Sequence, residues 1–170
     1  MLRTVIALAL IALPLAACGD DKEGTTIAIN TTGSDGNMVA GMNGKTGEVA
    51  IDVPGFSGKL TLPKLHINAE NFDMNGVHLY PGSTISGMNI NAHDGPGKKD
   101  DDGSVRVIFE SPAAPGAVRD WFRKRLSDAD FKLQDSGAGL SGKTDEDKPF
   151  SLELSPSGDG RSKGVISIDG

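Results

Sequence analysis

The spacing of its apolar residues limits most tightly what this chain can become. From Gly47 they alternate with polar ones in short runs: Val49, Ile51 and Val53; Leu60 and Leu62; Leu65 and Ile67; Val77 and Leu79; Met88, Ile90 and Ala92. A period of two puts such residues on one face of a strand. The runs recur roughly every ten residues and are parted by turn formers. Pro54-Gly55 and Pro81-Gly82 are two of these, with proline fixing φ and glycine accepting φ > 0. A β-rich segment is therefore expected over 46–93, as a meander, sandwich or short solenoid. Asp94 to Gly103 is the clearest loop in the chain and is taken as a boundary.

The pattern then changes. Val105, Val107 and Phe109 alternate, and Ile108 adds an apolar residue on the opposite face, as in a central strand. Pro115 suits the first turn of a helix, where its missing N–H costs nothing. Val118, Trp121, Phe122, Leu126 and Ala129 fall within an arc of about 140° at helical spacing. Asp130 follows, where a helix commonly ends in a left-handed residue. Strands are expected at Phe131–Leu133, Leu140–Thr144, Phe150–Leu154 and Val165–Ile168. Residues 104–170 thus read β-α-β-β-β-β. The expected fold class is α+β: the β-rich N-terminal segment, then this layer with one amphipathic helix on a mainly antiparallel sheet. With 37% hydrophobic and 5% aromatic residues, the core should be modest.

The N-terminus carries a different kind of signal. Met1-Leu2-Arg3 leads into an apolar run from Val5 to Ala17, broken only by Pro14 and closed by Leu15-Ala16-Ala17-Cys18. A positive start, an apolar centre and small residues before a cut site make up a secretory signal peptide, here 1–17. The run is shorter than the roughly 20 residues that cross a bilayer core. Leu-Ala-Ala-Cys resembles the lipobox of bacterial lipoproteins. That resemblance implies a diacylglyceryl thioether on Cys18, cleavage before it, and a further acyl chain such as palmitate. The partner so implied is the lipid bilayer of the cell envelope. Gly19, not Asp, follows the cysteine, which by the same resemblance implies the outer membrane, facing the periplasm. Residues 18–45, rich in Gly, Asp, Thr and Asn, are read as a flexible stalk with at most one short strand near Ile27 and Ile29.

Charge and cysteine usage narrow the function. The chain has 17 Lys+Arg and 23 Asp+Glu; losing Arg3 with the signal peptide leaves a formal charge of −7. Such a balance disfavours nucleic acid, whose binding depends on cationic groups releasing counterions. Cys18 is the only cysteine, so acylation would leave no thiol for a disulfide, a metal or a nucleophile.

Several motifs in the chain have plainer structural roles beside their chemical ones. Gly137 to Thr144 matches G-x-x-x-x-G-K-T, the phosphate-cradling loop. Carboxylates at Asp145, Glu146 and Asp147 follow where phosphates would sit, with no helical stripe behind them. A Gly-rich hairpin and no nucleotide are expected. Asp100-Asp101-Asp102-Gly103 fails as a calcium loop, because Lys98 and Phe109 take two ligand positions. His66, His78 and His93 could together hold a metal, but their spacing fits no ligand signature. Gly55 to Lys59 and Gly139 to Lys143 only approach G-x-S-x-G, because each lacks the second glycine at the required place. Arg125 lies inside the apolar arc one turn after Trp121, either as a packed stem with a snorkelling head or as half of a partner site, since both types are enriched in interface hot spots. The expected function is a membrane-anchored, non-enzymatic binding or structural module, with no cofactor and an envelope protein as partner. The competing expectation is a metal-dependent or serine hydrolase of the envelope.

Overall fold

A computed structural model describes residues 24–33, 36–74, 76–93 and 103–170; of His93 only the backbone is described. The signal peptide, Cys18 and the acidic run Asp100–Asp102 lie outside the described residues. Strands β1 (Thr26–Gly33), β2 (Gly36–Met42), β3 (Glu48–Val53) and β4 (Phe56–Thr61) form an antiparallel meander. Short strands β5 (Ile67–Asn68), β6 (Asp73–Met74) and β7 (Val77–His78) lead to β8 (Thr84–His93) and β9 (Gly103–Ser111). Helix α1 (Pro115–Asp128) follows, then β10 (Lys132–Ser136), β11 (Gly139–Lys143), β12 (Pro149–Pro156) and β13 (Ser162–Asp169).

These elements correct the expected fold class. The described residues are mostly β, with 57% strand, 11% helix and a single helix beside a mixed sheet of 11 strands, so the fold is not a balanced α+β one. The sheet order is β10-β11-β12-β13-β9-β8-β1-β2-β3-β4, with β5 also paired to β8. Among the described strands the one parallel pairing sets β1 alongside β8, Ile27 opposite Met88 and Ile29 opposite Ile90. The two expected segments are merged into one sheet by β8 pairing with β9, and the β1–β8 pairing adds the β1–β4 meander. The latter draws in residues 26–33 and 36–42, read from sequence as stalk, because neighbouring strands satisfy their backbone groups whatever their own propensity.

The register gives the sheet two chemically different faces, since directly paired residues point the same way. One cross-strand row runs Leu140, Leu152, Ile166, Val107, Met88, Ile27, Met42, Val49, Leu60, from β11 to β4. All nine are apolar. The neighbouring row carries Phe150, Ile168, Val105, Ile90, Ile29, Ala40 and Ile51. The opposite face bears Asn30, Asn91 and Ser104, linked by Asn30 Nδ2 donating to Asn91 Oδ1 at 3.1 Å and Asn91 Nδ2 to Ser104 Oγ at 3.2 Å.

Helix α1 covers only the first half of the apolar face. It buries Val118, Phe122 and Leu126 completely, against Phe109, Leu140, Leu152 and Ile166. Proline at its first position opens it. It closes in a Schellman arrangement: the Phe131 N–H donates to Leu126 O at 3.0 Å and the Asp130 N–H to Ser127 O at 3.2 Å, with Asp130 at φ 62°. Gly164 faces the helix from β13, and the Phe109 ring fills the space a Cβ would take there. Among the described residues no helix crosses β1–β4. Thr25 joins the two halves: it is buried, its Oγ1 donates to Ile85 O at 2.6 Å and accepts from the Ile67 N–H at 3.0 Å.

Candidate functional site

Side chains from α1 and from the turn between β7 and β8 converge on a cleft of about 390 Å3. Trp121 and Arg125, one helical turn apart, form its helical wall. The Arg125 guanidinium lies over the indole, 4.5 Å from the ring centre, a cation–π contact. Tyr80 meets the same indole edge-on, centroids 5.6 Å apart. The ring is thus held on two sides. Val118 and Phe122, beside it on the helix, are buried and so set which way it points.

His78 and Glu70 supply the opposite wall, with Leu79, Pro81 and Gly82. His78 Nδ1 lies 2.9 Å from Phe72 O, and its Nε2 is 3.7 Å from Asp73 Oδ2. The ring is therefore oriented by its own hairpin, β6–β7. Gly82 takes φ 77°, as a residue closing a Pro-Gly turn must. The Nε1 of Trp121 is buried and has no hydrogen-bond partner among the described residues, and the same holds for Ser83 Oγ, just past that turn. Buried donors are nearly always paired. An indole N–H can only donate, so it calls for an acceptor.

The sequence singled out Trp121 and Arg125, and the fold places them together at this cleft. Of the three histidines, His78 lines it, whereas His66 is an exposed residue in the segment leading to β5. Among the described residues no group of three His, Cys, Asp or Glu could hold a metal ion. The Gly137–Thr144 motif is the β10–β11 hairpin, its Gly139–Lys143 part paired to both neighbours, so it opens no helix. Tyr80 and Glu70 escaped sequence reasoning. The only signal was a lone tyrosine preceding Pro81-Gly82.

A larger, open trough of about 1060 Å3 lies over β2–β4. Its floor is small residues, Gly41 and Ala50, and its walls carry both charge signs; Glu48 already pairs with Lys59 at 3.1 Å. Mixed, solvated charges of this kind give little directed field. The smaller cleft has the better-defined chemistry. Among the described residues no helix is long and apolar enough to cross a membrane. Compared with known proteins, the chain matches no family model, no curated protein and no solved structure.

Proposed function

We propose that the chain is a lipid-anchored module of the bacterial envelope, acylated at Cys18, which binds a partner at the Trp121–Arg125 cleft without catalysing a reaction. The observation that carries the binding half is the unpartnered, buried Trp121 Nε1 beside a stacked guanidinium. Both groups are donors, and Arg125 is always charged. An acceptor-rich segment of an envelope protein, such as a peptide bearing a carboxylate, fits them better than a neutral apolar one. The anchoring half rests on Leu15-Ala16-Ala17-Cys18 and the apolar run before it. The outer membrane, facing the periplasm, is the address that Gly19 supports.

Two measurements test the proposal. Labelled fatty acid should enter the wild-type protein and not Cys18→Ser, and incorporation into both would remove the anchor. Crosslinking in intact cells should yield a partner band that weakens at least several-fold in Arg125→Ala. Arg125 is exposed, so that change leaves the buried face of α1 (Val118, Phe122 and Leu126) intact; Trp121→Ala should act in the same direction. Bands unchanged in both variants would remove the cleft.

A further inference from the structure

The bare half of the apolar face, across β1–β4, has a specific use if the anchor is real. We propose that it rests on the bilayer surface, so that the domain lies flat against the lipid instead of standing clear of it. This rests on the reading of Cys18 as acylated and goes beyond it, because an anchor alone does not say which surface meets the membrane.

Three observations converge. The first is the face itself. On the strands farthest from the helix it presents Met38, Phe56 and Leu60, with Phe56 60% and Leu60 47% exposed, and its two register rows hold no charged residue on any of the four strands. Contiguous apolar surface of this kind is rare on a monomer that meets only water.

The second is the tether. Only six residues, 18–23, separate the sulfur from Gly24. At full stretch they reach about 20 Å, roughly the length of a strand of this meander. Nor does the tether emerge at a remote end. The Gly24 N–H donates to Gly44 O at 2.9 Å and the Thr25 N–H to Leu65 O at 2.7 Å. Leu62 and Leu65, both exposed, therefore stand near Gly24, the first described residue, with Leu60 in the strand just before them.

The third is charge. The mature chain is net negative, but residues 36–68 hold Lys45, Lys59 and Lys64 against only Glu48 and Asp52. Lys59 stands opposite Ala50 on the other face and pairs with Glu48, so the cation beside the apolar face is Lys64, between Leu62 and Leu65. Lysine stems that cover apolar surface while their heads reach phosphate suit an interfacial position. A local excess of one cation is modest, so apolar contact supplies most of the attraction and the tether supplies the concentration.

The test uses the acylated protein purified from membranes and returned to vesicles of phosphatidylethanolamine and phosphatidylglycerol. With Cys18 acylated, an introduced cysteine is the sole thiol. Spin labels at Met38→Cys, Phe56→Cys and Leu60→Cys should collide with oxygen more, and with an aqueous nickel chelate several-fold less, than a label at Gln134→Cys on the far edge of the sheet. Equal, water-like accessibility at all four positions would overturn the proposal. So would spin–spin broadening at Phe56→Cys and Leu60→Cys that fades on dilution with unlabelled protein, which would make a second copy the occupant. If mass spectrometry finds residue 18 unmodified, the anchor fails separately. Sedimentation of the unmodified chain with the same vesicles then still decides the surface: co-sedimentation above Phe56→Ser, Leu60→Ser supports it, and its absence overturns it.

Discussion

The two halves of the sheet are built from the same alternation and differ in what lies on top. Between β11 and β9 the apolar row is sealed by α1, and Phe109 and Phe122, 5.9 Å apart, are wholly buried. Between β1 and β4 the same face continues with no second layer among the described residues, and its phenylalanine, Phe56, is 60% exposed. A sheet face stabilises a fold only when something covers it. The covered half therefore carries most of the stability of the isolated chain, and the bare half holds its apolar surface ready for another body.

The largest contrast should come from the two phenylalanines. Phe122→Ala opens a cavity under the helix and should cost about 3–5 kcal/mol, read as a lowered denaturant midpoint at unchanged slope. Phe56→Ala should stay within about 0.5 kcal/mol. Equal losses would mean that the bare half is packed in solution by something this structure does not contain, and the comparison would collapse.

A finer version uses two glycines on the same face. Gly164 lies under the Phe109 ring, which α1 locks in place; Gly58 lies under the ring of Phe56, which is exposed. Gly164→Ala must displace a core ring and should cost about 1–3 kcal/mol. Gly58→Ala needs only a surface ring to swing aside, and the lost backbone entropy of glycine offsets the rest. The second change should be close to neutral in thermal unfolding. A destabilised Gly58→Ala would show that the Phe56 ring is held.

How much of this was legible in the sequence depends on the range of the interaction. The helix was readable because Val118, Phe122 and Leu126 mark their face within a few residues of one another. Asp130 was readable as a left-handed terminator for the same reason. The joining of the halves was not: it rests on β1 meeting β8 across 61 residues of sequence, and nothing local announces a parallel pairing. Residues 18–45 read as a stalk with at most one short strand near Ile27 and Ile29 and none at β2, because Gly, Asn and Thr interrupt the apolar residues there. The partners of β1 and β2, not their own propensity, make them strands. At the cleft, Trp121 and Arg125 were visible as a helical pair, whereas Tyr80 joins them from another element and could not be placed by spacing.

The joint at Thr25 should give a smaller effect with a sharper address. Thr25→Val keeps the shape but leaves Ile85 O and the Ile67 N–H without their shared hydroxyl. The expected loss is about 1–2 kcal/mol. Its distribution matters more: amides of β1–β4 should exchange faster while those of β9–β13 keep their protection. Uniform acceleration across the sheet would show that the halves unfold together and differ only in surface.

The smallest effect lies at the edge of the covered half. There Lys132 of β10 stands opposite Lys143 of β11, and Lys132 Nζ bonds Asp147 Oδ1 at 2.8 Å. That hydrogen bond, then the attraction of the opposite charge, raises the Lys132 pKa; the same bond, with the charges of Lys132 and Lys143, lowers that of Asp147. A lowered carboxyl pKa stabilises fully above the ordinary aspartate value and loses this as pH falls through the folded value. A raised amine stabilises fully below the ordinary lysine value and loses this as pH rises past the folded one. All the groups are exposed, so salt should weaken the pair. Lys132→Gln should therefore melt slightly below wild type at neutral pH and low salt. The gap should close as Asp147 protonates in acid, and again in high salt. A gap that persisted in acid would assign the difference to packing of the Lys132 stem. The β10 edge would then owe its protection to shape and not to the charges that set it apart from the apolar face at β4.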